Sequence, residues 1–280
     1  MKVTVVGGSG RIGRFVTQDL VASGQHEVTS FDRVAPSVEG VRWMRGETTD
    51  YGDVVCGLQG AEAVIHLAAY PLPYAHISNQ VLFNNNVVST YNVFEAAAFH
   101  GIRRVAFASS GAILGWTYGR VPFLPQYLPI DEDHPVRPQD PYGLGKLCDE
   151  QIAQSFAIRS GISSFALRPS IVLFPELNER FNKMGGQPIT KFNTCTYVDA
   201  RDLGQAFRLA VEAPHEGHAA LFIGADDSSA NEPLSVGLPR VVPELGDMAA
   251  GLDGRKPGID NSRSKKVLGW TQQHSWRNLD

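Results

Sequence analysis

The chain has 280 residues, 43% of them hydrophobic and 19% charged, with 25 Lys and Arg against 29 Asp and Glu for a formal net charge of -4. That length buries a substantial core, in one large domain or in one domain with a small appendage. A mildly acidic chain without a basic run lacks the footprint that grips a nucleic-acid backbone, and no apolar stretch approaches the ~20 residues that span a bilayer.

The first apolar run starts at once, with no basic segment and secretory core before it, so a cytoplasmic location is expected. Cys56, Cys148 and Cys195 are widely spaced. That is neither a disulfide framework nor a zinc pattern, and no metal site is expected.

Val3 to Gly13 reads VTVVGGSGRIG: an apolar run breaks into glycines at Gly7, Gly8, Gly10 and Gly13 and resumes as IGRFVTQDLVAS. The pattern predicts a strand, a tight turn and a helix beginning near Arg11. Glycine lets a ligand's phosphates approach the backbone, and the helix points its first N–H groups at them. His26 to Phe31 reads as a second strand closed by Asp32, nineteen residues after Gly13. A carboxylate at about that offset accepts hydrogen bonds from an adenosine ribose.

Val41 to Arg45 reads as a short third strand, followed by GETTD at Gly46 to Asp50. Glu47 there either reaches an adenine or stays a solvated turn residue. Ala63 to Leu67 is the next apolar run, ending in HLAA at His66 to Ala69, and the proline-punctuated YPLPY follows at Tyr70 to Tyr74. Small residues directly after a strand let a cofactor lie flat against the backbone, while His66 reads as a packed strand-end histidine. Ser78 to His100 predicts a long helix that covers the sheet with Val87, Thr90, Tyr91, Phe94, Ala97 and Ala98. Asparagine disfavours helix interiors, so one of Asn84, Asn85 and Asn86 is expected to brace a neighbouring loop.

Arg104 to Ala108 reads as the fifth strand and runs into ASSGAILG. Strand and helix thus alternate as right-handed βαβ units do, which predicts an α/β fold with a doubly wound parallel sheet and a ligand beyond the carboxyl ends of its strands. The glycine turn, Asp32, Gly46 to Asp50, His66 to Ala69 and Ser109 to Ser110 all fall at such ends. Trp116 to Gln139 is rich in proline and aromatics and predicts an irregular loop over the site. DPYGLGKLCDEQIAQSFA then opens a helix with Pro141 in its first turn, and Tyr142 and Lys146, four apart, share a face of it. Phe165 to Leu167 reads as strand six, ending in RPSIVLFP. Beyond Pro175 the alternation lapses. Tyr197 to Val211 reads as a short strand and helix, Ala220 to Ile223 as a strand, and Gly224 to Asp260 as a glycine- and proline-rich excursion, either a small substrate-covering lobe or a disordered loop.

Ser110, Tyr142 and Lys146 have a chemical use in that setting. Oxidising a secondary alcohol requires removing the hydroxyl proton as hydride leaves the carbon. A phenol, with an ordinary pKa near 10, is a poor base at neutral pH, and a neighbouring ammonium favours its phenolate. Tyr142 is the expected acid/base, Lys146 tunes it and holds the ribose hydroxyls, and Ser110 bonds the substrate oxygen.

The sequence resembles the extended short-chain dehydrogenase/reductases, the NAD-dependent epimerase/dehydratase family. GGSGRIG, Asp32, HLAA, NNNVVSTYNVFEAA, FASSGAILG, PYGLGK, LRPSIVLFP, YVDARDLGQAF and SKKVLGW occur in the family's order from Met1 to about Trp270. The resemblance implies a Rossmann-type domain with a small C-terminal substrate-binding lobe, frequent homodimers, and the Ser110, Tyr142, Lys146 triad. Gly7, Gly10, Ile12, Gly13, Asp32, Ala68 and Lys146 match cofactor positions. Residues 1–174 are the expected NAD-binding domain and 175–280 mostly the lobe, with 197–223 returning to the first domain. The Asp-Glu pair that sugar-nucleotide dehydratases carry after the catalytic Ser/Thr is Gly111 and Ala112 here, so dehydration is not expected. The short stretch from Pro175 to Tyr197 points to a substrate smaller than a nucleotide sugar, such as a free sugar, a uronate or another alcohol.

The expected cofactor is NAD, because a carboxylate at Asp32 repels a 2′-phosphate; NADP is the alternative, with Arg33 and Arg11 as neutralising groups. Expected cofactor contacts are Gly7, Gly10, Arg11, Ile12, Gly13, Asp32, Arg33, Glu47, Leu67, Ala68, Ala69, Asn86, Ala108, Ser109, Pro169, Ser170 and Ile171, with Tyr142 and Lys146. Expected substrate contacts are Tyr70, Pro71, Ser110, Gly111, Ala112 and Arg168. The expected function is that of an oxidoreductase or epimerase, an isomerase that oxidises and re-reduces one carbon, acting on a secondary alcohol of a sugar or sugar nucleotide. The alternatives are a dehydrogenase of a small free sugar and a catalytically inactive dinucleotide-binding regulatory or scaffold protein.

Overall fold

The structure, a computed structural model, describes residues 1–71 and 77–278. Of the YPLPY segment, Leu72 to Tyr74 lie outside the described residues. In chain order the elements are β1 (Lys2–Val6), α1 (Gly13–Ala22), β2 (Glu27–Asp32), β3 (Arg42–Arg45), α2 (Tyr51–Gly57), β4 (Ala63–His66), α3 (Asn79–Phe99), β5 (Arg104–Ala108), a 3-10 turn (Gly111–Leu114) and α4 (Pro141–Ser160). There follow β6 (Ser163–Pro169), β7 (Ile171–Leu173), α5 (Pro175–Lys183), β8 (Tyr197–Asp199), α6 (Ala200–Glu212), β9 (His218–Ile223), α7 (Leu234–Val241), α8 (Gly246–Ala249) and α9 (Ser262–Leu268).

Seven strands form one parallel sheet in the order β3-β2-β1-β4-β5-β6-β9. Parallel strands are buried on both faces and so read as continuous apolar runs. Val3, Val5 and Ile65 point to one side, where α1 and α6 bring Val16, Leu20, Leu203 and Phe207 against them. Val6, Val64 and Phe107 point to the other, against Val54 of α2, Phe94 of α3 and Phe156 of α4. A fully buried side chain of this size contributes roughly 1.5–3 kcal/mol. The chain order reverses between β2 and β4, the two neighbours of β1, so the crevice for a ligand opens at the carboxyl end of β1.

Two expectations change. Helix α1 starts at Gly13, not Arg11, because Gly10 N first donates to Gly7 O at 3.1 Å and closes a turn ahead of it. In α3, Thr90, Phe94 and Ala97 of the expected stripe are buried, but the covered surface is wider and also takes in Leu82, Asn86, Ser89 and Val93, whereas Tyr91 is 45% exposed. The helix is enclosed both by the sheet and by α4, and that double contact blurs its periodicity.

Beyond β6, β7 and β8 pair as a separate two-stranded parallel sheet. Helix α6 packs on α1, and β9 joins the main sheet beside β6, with Phe165 opposite Ala219. The glycine- and proline-rich excursion packs Ala230, Leu234, Leu238, Leu245, Ala249 and Leu252 against Ile189 and Cys195 from the stretch before β8, in a small separate core.

Candidate active site

A cleft of about 830 Å³ runs along the carboxyl ends of the strands and under the C-terminal segments. At one end is the glycine turn. Gly7 has φ +83°, and a Cβ on it would lie 2.6 Å from the Ala68 nitrogen; one on Gly13 would lie 2.2 Å from Gly7 O. Neither position admits a side chain, so the turn stays a bare backbone concavity, the shape a diphosphate fills. Asp32 ends β2 beside it. Its Oδ2 accepts from Ser9 N at 3.0 Å and its Oδ1 from Val34 N at 3.2 Å, which aims the carboxylate at the cleft. Arg33 leans on Glu47, Nη1 to Oε2 at 3.6 Å, and the Arg11 guanidinium stacks 4.0 Å from the Phe174 ring centre.

The other end is built by α4. Asp140 caps this helix, its Oδ1 accepting from Tyr142 N and Gly143 N, both at 2.9 Å, as a short acidic side chain does at a helix start. Gly143 lets the helix close on the 3-10 turn, since a Cβ there would stand 2.7 Å from Ala112 O. Tyr142, Ser110, Gly111 and Ala112 therefore line the same stretch of cleft. The Ser110 hydroxyl accepts from Ala112 N at 3.1 Å. Lys146, one turn on and only 4% exposed, lies behind Tyr142, its Nζ 5.9 Å from the ring centre, and Tyr118 stands edge-on to the same phenol, centroids 6.3 Å apart.

Of the residues expected to contact a cofactor, Gly7, Gly10, Arg11, Ile12, Gly13, Asp32, Arg33, Glu47, Leu67, Ala68, Ala69, Ala108, Ser109, Pro169, Ser170 and Ile171 line the cleft, as do Tyr70 and Pro71. Four side chains are placed differently. Lys146, expected to contact the cofactor, does not line the cleft and turns its amine to Asp149 Oδ2 at 3.2 Å. Asn86 is buried and braces the loop, its Oδ1 accepting from Tyr70 N at 2.8 Å and its Nδ2 donating to Tyr70 O at 3.0 Å. Ser109 turns its hydroxyl inward to Glu150 Oε1 at 2.6 Å. Arg168, expected at the substrate, is 6% exposed and donates from Nε and Nη2 to the two oxygens of Glu150, at 2.9 and 2.7 Å. It tethers β6 to α4 from beneath the cleft and does not line it.

The chain matches the NAD dependent epimerase/dehydratase family over residues 3–224. It belongs to that family. It is 27% identical to a UDP-glucose 4-epimerase of Corynebacterium glutamicum, over 98% of this chain and 92% of that one. It is 29% identical to an L-arabinose 1-dehydrogenase (NAD(P)(+)) of Haloferax volcanii, over 81% of this chain and 89% of that one. Among solved structures it is similar to MoeE5 in complex with UDP-glucuronic acid and NAD, with a TM-score of 0.74 and 26% identity over 99% of this chain and 95% of that one.

The chain is thus an NAD-dependent enzyme of the extended short-chain dehydrogenase/reductase type, and the inactive scaffold alternative is set aside. The bare glycine turn and the Asp32 carboxylate fit that cofactor. The stretch before β8, where a substrate-covering lobe was expected to begin, brings Gln187, Lys191, Phe192, Asn193 and Thr194 to the cleft, although no single one of these residues was singled out in the sequence. Nothing periodic marks that segment. Sequence reasoning missed the acids on the buried side of α4, Asp149 and Glu150. Their spacing of three and four from Lys146 was the available signal.

Proposed function

We propose that Ser110, Tyr142 and Lys146 catalyse reversible oxidation of a secondary alcohol on a sugar-like substrate. One observation carries the reading: the Tyr142 phenol lines the cleft that begins at the glycine turn, with the Lys146 ammonium behind it. Gly7 to Gly13 would hold the diphosphate of NAD and Asp32 the adenosine ribose, and Lys146 would hold the ribose nearest the reacting carbon. Bound there, NAD supplies a two-electron hydride acceptor. Tyr142 takes the hydroxyl proton while the carbinol carbon gives up its hydride, so the C–O–H unit becomes C=O; run backwards, Tyr142 returns the proton. Lys146 stabilises the phenolate, and the Ser110 hydroxyl orients the substrate oxygen. Gly111 and Ala112 hold no titratable group with which to drive an elimination.

The segment between α5 and β8 is short, residues 184–196. A lobe closed over so little chain favours a small free sugar or uronate over a nucleotide sugar. The test is a panel of L-arabinose, D-glucuronate, UDP-glucose and UDP-glucuronate. Net NADH formation with a free sugar is expected; interconversion of UDP-sugars with NAD retained would assign the epimerase form, and no turnover with any sugar would overturn the reading.

A homodimer fits the outer faces of α3 and α4. Val81, Val88 and Tyr91 on α3 and Leu144 and Ile158 on α4 are all at least 43% exposed, and a second copy would cover them. Sedimentation showing a monomer at micromolar concentration would contradict this. A cytoplasmic location fits three free cysteines, Cys56, Cys148 and Cys195, which a reducing compartment keeps unpaired. No helix among the described residues is long and apolar enough to cross a membrane.

A further inference from the structure

The buried side of α4 holds a carboxylate that the mechanism above does not use. Asp149 is 0% exposed, one turn beyond Lys146, and its Oδ2 accepts from Lys146 Nζ at 3.2 Å. Its other oxygen, Oδ1, has no hydrogen-bond partner among the described residues. The Thr90 hydroxyl of α3 is shared between the Asp149 carboxyl and Asn86 O, the latter at 3.1 Å. The remaining neighbours are accounted for. His66 of β4 meets Thr90 Oγ1 at 3.2 Å. Glu150 is held by Arg168 and Ser109, and Cys148 on the same helix is a thiol pushed up by burial and by the Asp149 charge. Among the described residues, Lys146 is therefore the one cation placed to answer Asp149.

We propose that Asp149 is a positioning residue for the reaction: it draws the Lys146 ammonium toward the helix interior and divides its charge with Tyr142. The proposal rests on the triad reading above. A carboxylate oxygen 3.2 Å from the amine and a phenol whose ring centre is 5.9 Å from it draw on the same positive charge, so the carboxylate diminishes what the phenol receives. Tyr142 is thus activated less than a lone lysine would activate it. Such division suits a reversible enzyme, because a phenolate held too tightly returns its proton poorly. Burial raises the Asp149 carboxyl above its ordinary range and Lys146 opposes that rise, so the division depends on Asp149 remaining ionised through the working range.

The test is the pH profile of kcat and kcat/KM for oxidation of L-arabinose, D-glucuronate or UDP-glucose, whichever the panel shows to be turned over, by native enzyme, Asp149→Asn and Asp149→Ser. Asparagine keeps the size without the charge, and serine, smaller, fits wherever the native side chain does. The expected result is that the acidic limb of both profiles moves to lower pH by about one unit in both variants, with the plateau changed less than the limb. A limb that stays in place, or a uniform fall in kcat at every pH, overturns the proposal, since a merely structural acid would behave in that way. Tyr142→Phe separates the two levels: turnover that survives it removes the triad reading itself, whereas turnover that needs Tyr142 but ignores the charge at 149 removes only the role of Asp149.

Discussion

Tyr142 and Asp149 flank Lys146 along α4, the first lining the cleft and the second fully buried and 3.2 Å from the amine. A single turn of α4 thus connects solvent-side chemistry to a dry interior. The same helix carries the tether to β6 through Glu150 and Arg168.

Gly13 is where the cofactor end is most easily broken. A methyl at this position would sit 2.2 Å from Gly7 O and 2.7 Å from the Gly8 carbonyl, so Gly13→Ala must open the turn. NADH affinity, read by fluorescence titration, is expected to fall at least about tenfold, which is about 1.4 kcal/mol. Gly246→Ala meets nothing within 4 Å; it should leave NADH binding untouched and raise stability by about 0.4–1 kcal/mol.

Cofactor choice rests on Asp32 and on the pairing of Arg33 with Glu47 at 3.6 Å. With the arginine drawn aside, a 2′-phosphate would meet the carboxylate first. Native enzyme should bind NADH at least about tenfold more tightly than NADPH, and Asp32→Asn should narrow the difference. Tighter NADPH binding by the native enzyme would reverse the assignment.

The Glu150 and Arg168 pair is bidentate and buried on both sides. Removing one partner strands the other charge, so Glu150→Gln should cost about 3–5 kcal/mol in urea unfolding. Because Arg168 lies beneath the cleft, the KM for the sugar should change far less than stability does. A large KM effect with unchanged stability would return Arg168 to the substrate.

His66 contributes a pH-dependent stability of known sign. Burial first, and the Lys146 charge second, lower it from 6.5 to about 3. Between those values the unfolded chain binds a proton that the folded chain refuses. The stabilisation is complete above 6.5 and is lost as pH falls toward 3. At about pH 4.5 the loss should be roughly 2–3 kcal/mol. His66→Asn keeps a polar group for Thr90 without titrating, and its urea midpoint should fall less between neutral pH and about pH 4.5. Equal slopes for the two proteins would contradict this.

The glycine-turn end of the cleft was legible in the sequence because its signals are local. A glycine turn, a carboxylate at a strand end and small residues after β4 each act through a few neighbouring residues, and they converge because parallel strands share one carboxyl edge. The role of Arg168 was not legible. Its partner Glu150 lies across a strand and a helix, and nothing in RPSIVLFP says which way a guanidinium will turn. The helices and core inside the Gly224 to Asp260 excursion were equally opaque. Leu234 and Leu238 are spaced as a helix requires, but Pro233 and Pro239 interrupt the pattern, and a core built with Ile189 and Cys195 from a distant loop leaves no period to read.

The central claim is that the Tyr142 phenol moves the proton, and its most direct test is sugar turnover by Tyr142→Phe alongside NADH binding by the same protein. The account predicts that turnover falls by about 10²–10⁴-fold while NADH affinity stays near native. Turnover close to native in a protein lacking that hydroxyl would contradict it.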